Sequence, residues 1–289
     1  GDINAITSVA NSNKTEASIG KFGVGFKAVF QYTASPRIYG PNLRFRIDRY
    51  IVPTLLDMDF PGRHQDETLF VFTFDRNDMT AEAAYSDISE KLQVLTYPLL
   101  FLSKLKDISF EFGKHIGLYE KKCDKTRMFD QTIAQHLTLT QNSGNDLYDK
   151  TLWLFTRKDE YGRAYSCGFF TDDKGMLCAV KYPAFCFFPT KEVTELNFIV
   201  HAPFLLTDSR EGIRAGVQYN TVMIEMLSKL AADSFVYLRD IGLEYGSRLI
   251  DDNITSIIPY DESRFNEASD KRKASFKPFF TAIQKTFAS

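Results

Sequence analysis

Apolar and polar positions follow two different periods along the chain, and the switches between them predict its elements. Leu43–Ile47 (LRFRI) and Ile108–Phe112 (ISFEF) alternate residue by residue, the spacing of a strand with one buried face. Thr68–Phe74 (TLFVFTF) is a β-branched and aromatic run, a stronger strand candidate. Gln131–Thr140 and Thr151–Thr156 continue the strand pattern, with NSGND between them as a turn. Gly168–Thr171, Met176–Tyr182 and Asn197–Val200 are shorter runs separated by turn residues such as Asp172, Asp173, Lys174 and Gly175.

Helical spacing governs the intervening segments. Met79–Tyr97 carries Ile88, Leu92 and Leu95 on one face, with Asp78 or Thr80 as N-cap. Val217–Leu238 predicts a long amphipathic helix, and Phe276–Phe287 an aromatic one after the polar stretch Asp261–Ser275. Asp2–Val9 reads as an amphipathic helix already under way, so the sequence is expected to be a piece of a longer protein.

The length of 289 residues suggests two domains, and 44% hydrophobic content with 26 Phe and 14 Tyr indicates a folded chain. The net charge of −2 supplies no global field for nucleic acid or an anionic membrane, so any phosphate binding must be local. No apolar run reaches the roughly 20 residues that span a bilayer. Cys123, Cys167, Cys178 and Cys186 lack a CxxC pair or metal-ligand spacing, so reduced thiols in a cytoplasmic protein, with no metal site, are expected.

One segment carries distinctive chemistry. In IGKFGVGFKAVF, Ile19–Phe30, the glycines Gly20, Gly23 and Gly25 permit positive φ and close approach of the main chain, and a helix N-terminus with unpaired amides follows. That combination suits phosphate. Lys21 and Lys27 add charge, and Asn11, Ser12, Lys14 and Thr15 supply donors just upstream, while Pro36 forbids continuation of the helix. Taken bare, a glycine-rich turn serves helix packing about as often as phosphate binding.

The full motif resembles the GxFGxGF box that closes the ATP lid in GHKL ATPases, the class of gyrase, heat-shock chaperones, histidine kinases and mismatch-repair ATPases. The heat-shock-chaperone and sacsin-like branches are the nearest in pattern. Three further segments match in the expected order: NSNKT as lid residues, Glu67–Phe72 (ETLFVF) as the strand whose threonine supports adenine, and Phe198–Ile213 (FIVHAPFLLTDSREGI) as a second-domain strand and loop. The resemblance implies an α+β chain, an incomplete Bergerat-type ATPase α/β sandwich over residues 1–130. A βαβ transducer-like domain over 131–245 and a helical extension over 246–289 would follow.

It further implies ATP and magnesium as cofactors of the parent protein. Gly20, Lys21, Phe22, Gly23, Val24, Gly25 and Phe26 would surround the phosphates, and Thr68 would lie under adenine. Arg210, in the SRE of TDSREGI, would sense the γ-phosphate, with Lys191 as a second candidate. Bland alternatives stand beside these: Thr68 as an ordinary strand threonine, Lys191 as a surface ion pair, His201 as a packing residue.

The family's water-orienting glutamate, its magnesium-holding asparagine and its adenine-reading DxGxG turn have no counterpart here. Turnover is therefore expected of the parent protein and not of this piece alone. ATP-dependent homodimerisation and a protein client or effector domain are the expected partners. A non-catalytic scaffold on the same fold is the alternative, and a DNA-manipulating relative lacks support from the charge.

Overall fold

The computed structural model describes residues 26–143, 146–246 and 249–288. The protein is α+β, with two sheets and a few helices, and it divides into two compact units between Val94 and Leu95.

The first unit begins, in its described part, with a 3-10 helix, Phe26–Gln31, which ends before Pro36 as expected. Strands β1 (Arg37–Tyr39), β2 (Arg44–Asp48), β3 (Val52–Leu55) and β4 (Leu69–Val71) then form one sheet in the order β3-β2-β1-β4. All three pairings are antiparallel. Alternation in β2 buries Phe45 and Ile47, which meet Ile38 of β1 and Phe30 of the 3-10 helix in a small core. Between them Asp48 accepts from Ser35 (2.8 Å), Thr54 (2.8 Å) and Arg46 (3.0 Å), and its pKa is lowered, chiefly by the Thr54 hydroxyl. Helix α1 (Ala81–Gln93) starts at Thr80, whose hydroxyl accepts from the Ala83 amide at 3.2 Å, as the N-cap pattern predicts.

The second unit is built on eight strands: β5 (Asp107–Phe112), β6 (His115–Phe129), β7 (Thr132–Ser143), β8 (Asp146–Lys158), β9 (Ala164–Thr171), β10 (Pro183–Cys186), β11 (Phe188–Val193) and β12 (Ile199–His201). Their order is β11-β10-β12-β9-β8-β7-β6-β5, an antiparallel meander closed at one side by a parallel β10–β12 pair. That pair is connected through β11, so no βαβ crossover of the expected kind exists among the described residues. The expected boundary at residue 130 falls in the turn of the β6–β7 hairpin, where Asp130 has φ 51°. Residues 176–182, expected as a strand, make a single bridge from Leu177 to Thr171 after the tight turn at Gly175.

Both faces of this sheet are covered, which explains why β8 is apolar at consecutive positions. Trp153 and Phe155 face helix α2 (Gln218–Glu244), whereas Leu152 and Leu154 face a second cluster with Leu100, Phe170 and Phe185. After the short α3 (Ile254–Ile257), helix α4 (Lys277–Ala288) packs on α2 and buries Phe279 and Ile283 in the α2 core. Phe265, Phe276, Phe279 and Ile283 thus join the core of the second unit.

His201, on β12, is 3% exposed and stacks on Phe101 at 4.2 Å, the packing role expected of it. Its Nδ1 accepts from the Phe187 amide at 3.2 Å, and burial pushes its pKa down to about 3, against a weaker opposing effect of the Phe185 carbonyl. The folded pKa lies below the unfolded value of 6.5, so this contribution to stability is complete above pH 6.5. It falls by about 1.4 kcal/mol per pH unit as pH drops toward 3. Urea titrations at stepped pH should show this slope, and His201→Gln should flatten it.

Candidate functional site

The predicted phosphate residues Asn11, Ser12, Lys14, Thr15, Gly20, Lys21, Phe22, Gly23, Val24 and Gly25 lie outside the described residues, as does the Asp2–Val9 helix. The described structure begins at Phe26, where the motif enters the 3-10 helix. Phe26 lies 6.1 Å from Phe70 and 6.5 Å from Phe72, ring to ring, and Phe30 lies 4.7 Å from Tyr50. Apolar contact therefore fixes this end of the motif on the sheet.

Two carboxylates hold the residues that follow. Asp75 accepts from the Ala34 amide at 2.7 Å, beside the buried Thr33, and Asp87 of α1 accepts from the Tyr32 hydroxyl while pairing with Lys91 at 2.8 Å. Both interactions lower the Asp87 pKa, with Lys91 the larger cause. Neither role stands out in sequence, because Asp75 and Asp87 lie more than forty positions from Ala34 and Tyr32. Thr68 is exposed and immediately precedes β4, the short form of the strand expected over 68–74.

In the second unit, the TDSREGI segment forms a compact loop. An isolated bridge pairs Leu206 with Ile213, the Thr207 amide donates to the Gly212 carbonyl at 2.8 Å, and the Arg210 amide donates to the Thr207 carbonyl at 2.8 Å. Arg210 sits exposed at the apex with φ 61°, a left-handed conformation that costs a non-glycine residue about 1 kcal/mol or more. Such an outlier persists only when its surroundings hold it, and three do. Buried Asn220, from the first turn of α2, accepts from the Leu205 amide (2.9 Å) and donates to the carbonyls of Leu205 and Arg214 (both 2.8 Å). Glu192 of β11 accepts from the Ile213 amide at 3.1 Å, and Arg214 pairs with Asp208 at 2.7 Å.

Lys191 is brought to the same loop. Its ammonium lies 2.6 Å from the Glu211 carboxylate, an exposed ion pair, and its amide donates to the Glu211 carbonyl. Lys191 thus supports the loop next to Arg210 and already has an acidic partner. Asn220 was legible only as a polar residue at the start of an amphipathic helix, a position with many ordinary explanations.

The carboxylates, histidines and cysteines form no group able to hold a metal ion among the described residues. The four cysteines are unpaired, and burial raises the pKa of Cys186 to about 11 and that of Cys167 further. No described helix is long and apolar enough to cross a membrane.

No family model matches the chain, and no solved structure matches it. The chain is similar to the Protein NO VEIN of Arabidopsis thaliana, with 25% identity over 267 residues. The match covers 81% of this chain and 9% of that protein, so the chain spans less than a tenth of its relative's length.

Proposed function

We propose that this chain is part of an ATP-operated conformational switch of the GHKL class, in the chaperone-like or sacsin-like branch. The first unit would be the lid-bearing part of an incomplete Bergerat-type sandwich, and the second a transducer. The observation that carries this reading is the IGKFGVGFKAVF segment itself, which ends in a helix seated on a sheet by Phe26 and Phe30. The rigid loop that presents Arg210 is the second support.

In this reading the main chain at Gly20, Gly23 and Gly25 comes close to the phosphates and donates amide hydrogens, with Lys21 and Lys27 adding charge. Arg210 offers a guanidinium that stays charged and binds two phosphate oxygens at once. Delivered from a different unit, it would couple the state of the nucleotide to the position of the second unit. Magnesium bound with the nucleotide would neutralise phosphate charge.

Substituting Gly23 and Gly25 together by alanine in the full-length protein tests the lid directly. Added Cβ atoms at a phosphate-hugging turn are expected to weaken ATP binding by at least about tenfold in equilibrium dialysis. Unchanged affinity would remove the motif from phosphate binding and leave a non-catalytic scaffold as the better description.

A further inference from the structure

Helix α2 stops at Glu244, and beyond its end a cavity of about 360 Å³ opens over the eight-stranded sheet. The strand register dictates what lines it. Lys125 of β6 stands opposite His136 of β7, which stands opposite Trp153 of β8, and residues directly opposite in a sheet share a face. The row therefore grades from a buried indole to an exposed ammonium.

The other walls complete a mixed surface. Tyr245, the cap residue of α2, lies under the Lys125 ammonium at 4.1 Å from the ring centre, and Ile241 adds apolar wall. Lys174 is set in the turn after β9, where Asp172 Oδ1 accepts from the amides of Lys174 and Met176, both at 2.9 Å. That carboxylate is occupied by backbone, Asp124 by Thr138 (2.6 Å) and Lys122 (3.3 Å), and Glu244 by Arg127. Among the described residues, neither Lys125 nor Lys174 has an ion-pair partner. His136, 5.1 Å from the Trp153 ring, has a solvent-shielded Nδ1 with no hydrogen bond; Asp124 Oδ2 lies 3.5 Å away.

We propose that this cavity binds a small flat-ringed organic anion, its ring on the exposed Tyr245 above the edge of the buried Trp153 and its charged group between Lys125 and Lys174. Aromatic walls select the ring, and two cations at the mouth select the charge. Either half alone would bind weakly.

Trp153 is the only tryptophan in the 289 residues, so its fluorescence reports on the site without a label. Phenyl phosphate is the probe, with inorganic phosphate and phenol as its two halves. A saturable change in Trp153 emission is expected with phenyl phosphate, at a dissociation constant at least about tenfold below that of either half. Lys125→Ala with Lys174→Ala should weaken binding by about tenfold or more, while Lys271→Ala should not. Lys174→Gln alone, in an exposed turn, should show a smaller loss in the same direction. No saturable change, or equal affinity in the double variant, overturns the proposal.

Discussion

In the proposed switch, replacing Arg210 with alanine in the full-length protein is expected to lower ATP turnover by about 10³-fold while leaving ATP affinity within a few-fold. The expectation rests on position. Arg210 is exposed at φ 61° on a loop whose backbone is pinned by Asn220, Glu192 and a Leu206–Ile213 bridge, so the position of its main chain is fixed. A charged group that acts on the developing phosphate charge affects turnover more than ground-state binding. Lysine at the same position should recover little, because it lacks the planar fork.

Two neighbouring changes sharpen the test. Asn220→Ala removes three hydrogen bonds from the loop base, at a cost of about 1–3 kcal/mol, and should reproduce part of the turnover loss by loosening Arg210. Lys191→Ala should do little, since its exposed pair with Glu211 contributes at most about 1 kcal/mol. Full turnover in the Arg210→Ala protein would take that residue out of the mechanism.

Phe169→Ala is expected to destabilise the second unit by about 3–5 kcal/mol. Its ring is 1% exposed and lies 4.8 Å from Phe198, 5.1 Å from Phe235 and 6.0 Å from Phe155, where β8, β9 and α2 meet. Removing it opens a cavity that three neighbouring rings cannot collapse into without leaving their own contacts. Urea unfolding followed by Trp153 emission reads this unit, because Trp153 belongs to the same core. The midpoint should fall with an unchanged slope, whereas Phe188→Ala, on an exposed edge strand, should change the stability by no more than about 0.5 kcal/mol.

Local patterns were legible where one residue type decided the outcome. Thr80 as a cap, the alternation in β2 and the long apolar stripe of α2 could all be read directly. Strand β6 could not, because its stretch from Glu120 to Thr126 is polar on both sides and offers no period. That missing strand displaced the expected domain boundary, since without it β7 looks like the start of something new. The 176–182 run has strand composition, yet it follows a turn locked by Asp172, and after one bridge its amides divide between Phe170 and Asn197 instead of continuing one ladder.

For the candidate site, sequence supplied the residues that carry charge and glycine, and structure supplied those that hold them. Arg210 and Lys191 could be named from a motif. Asn220, Glu192, Asp75 and Asp87 act on backbone groups far along the chain, so their roles depend on topology and leave no local signature. The Lys125, His136 and Trp153 row is of the same kind, three unrelated positions aligned only by strand register.

The central claim, that the Ile19–Phe30 motif closes over ATP, is tested most directly by the melting temperature of the full-length protein with and without Mg-ATP. A ligand at one hundred times its dissociation constant stabilises the folded state by about 2.7 kcal/mol, so a clear upward shift is predicted, absent in the Gly23→Ala, Gly25→Ala protein. An unchanged melting temperature at saturating Mg-ATP, in a protein that is otherwise folded, would contradict the account.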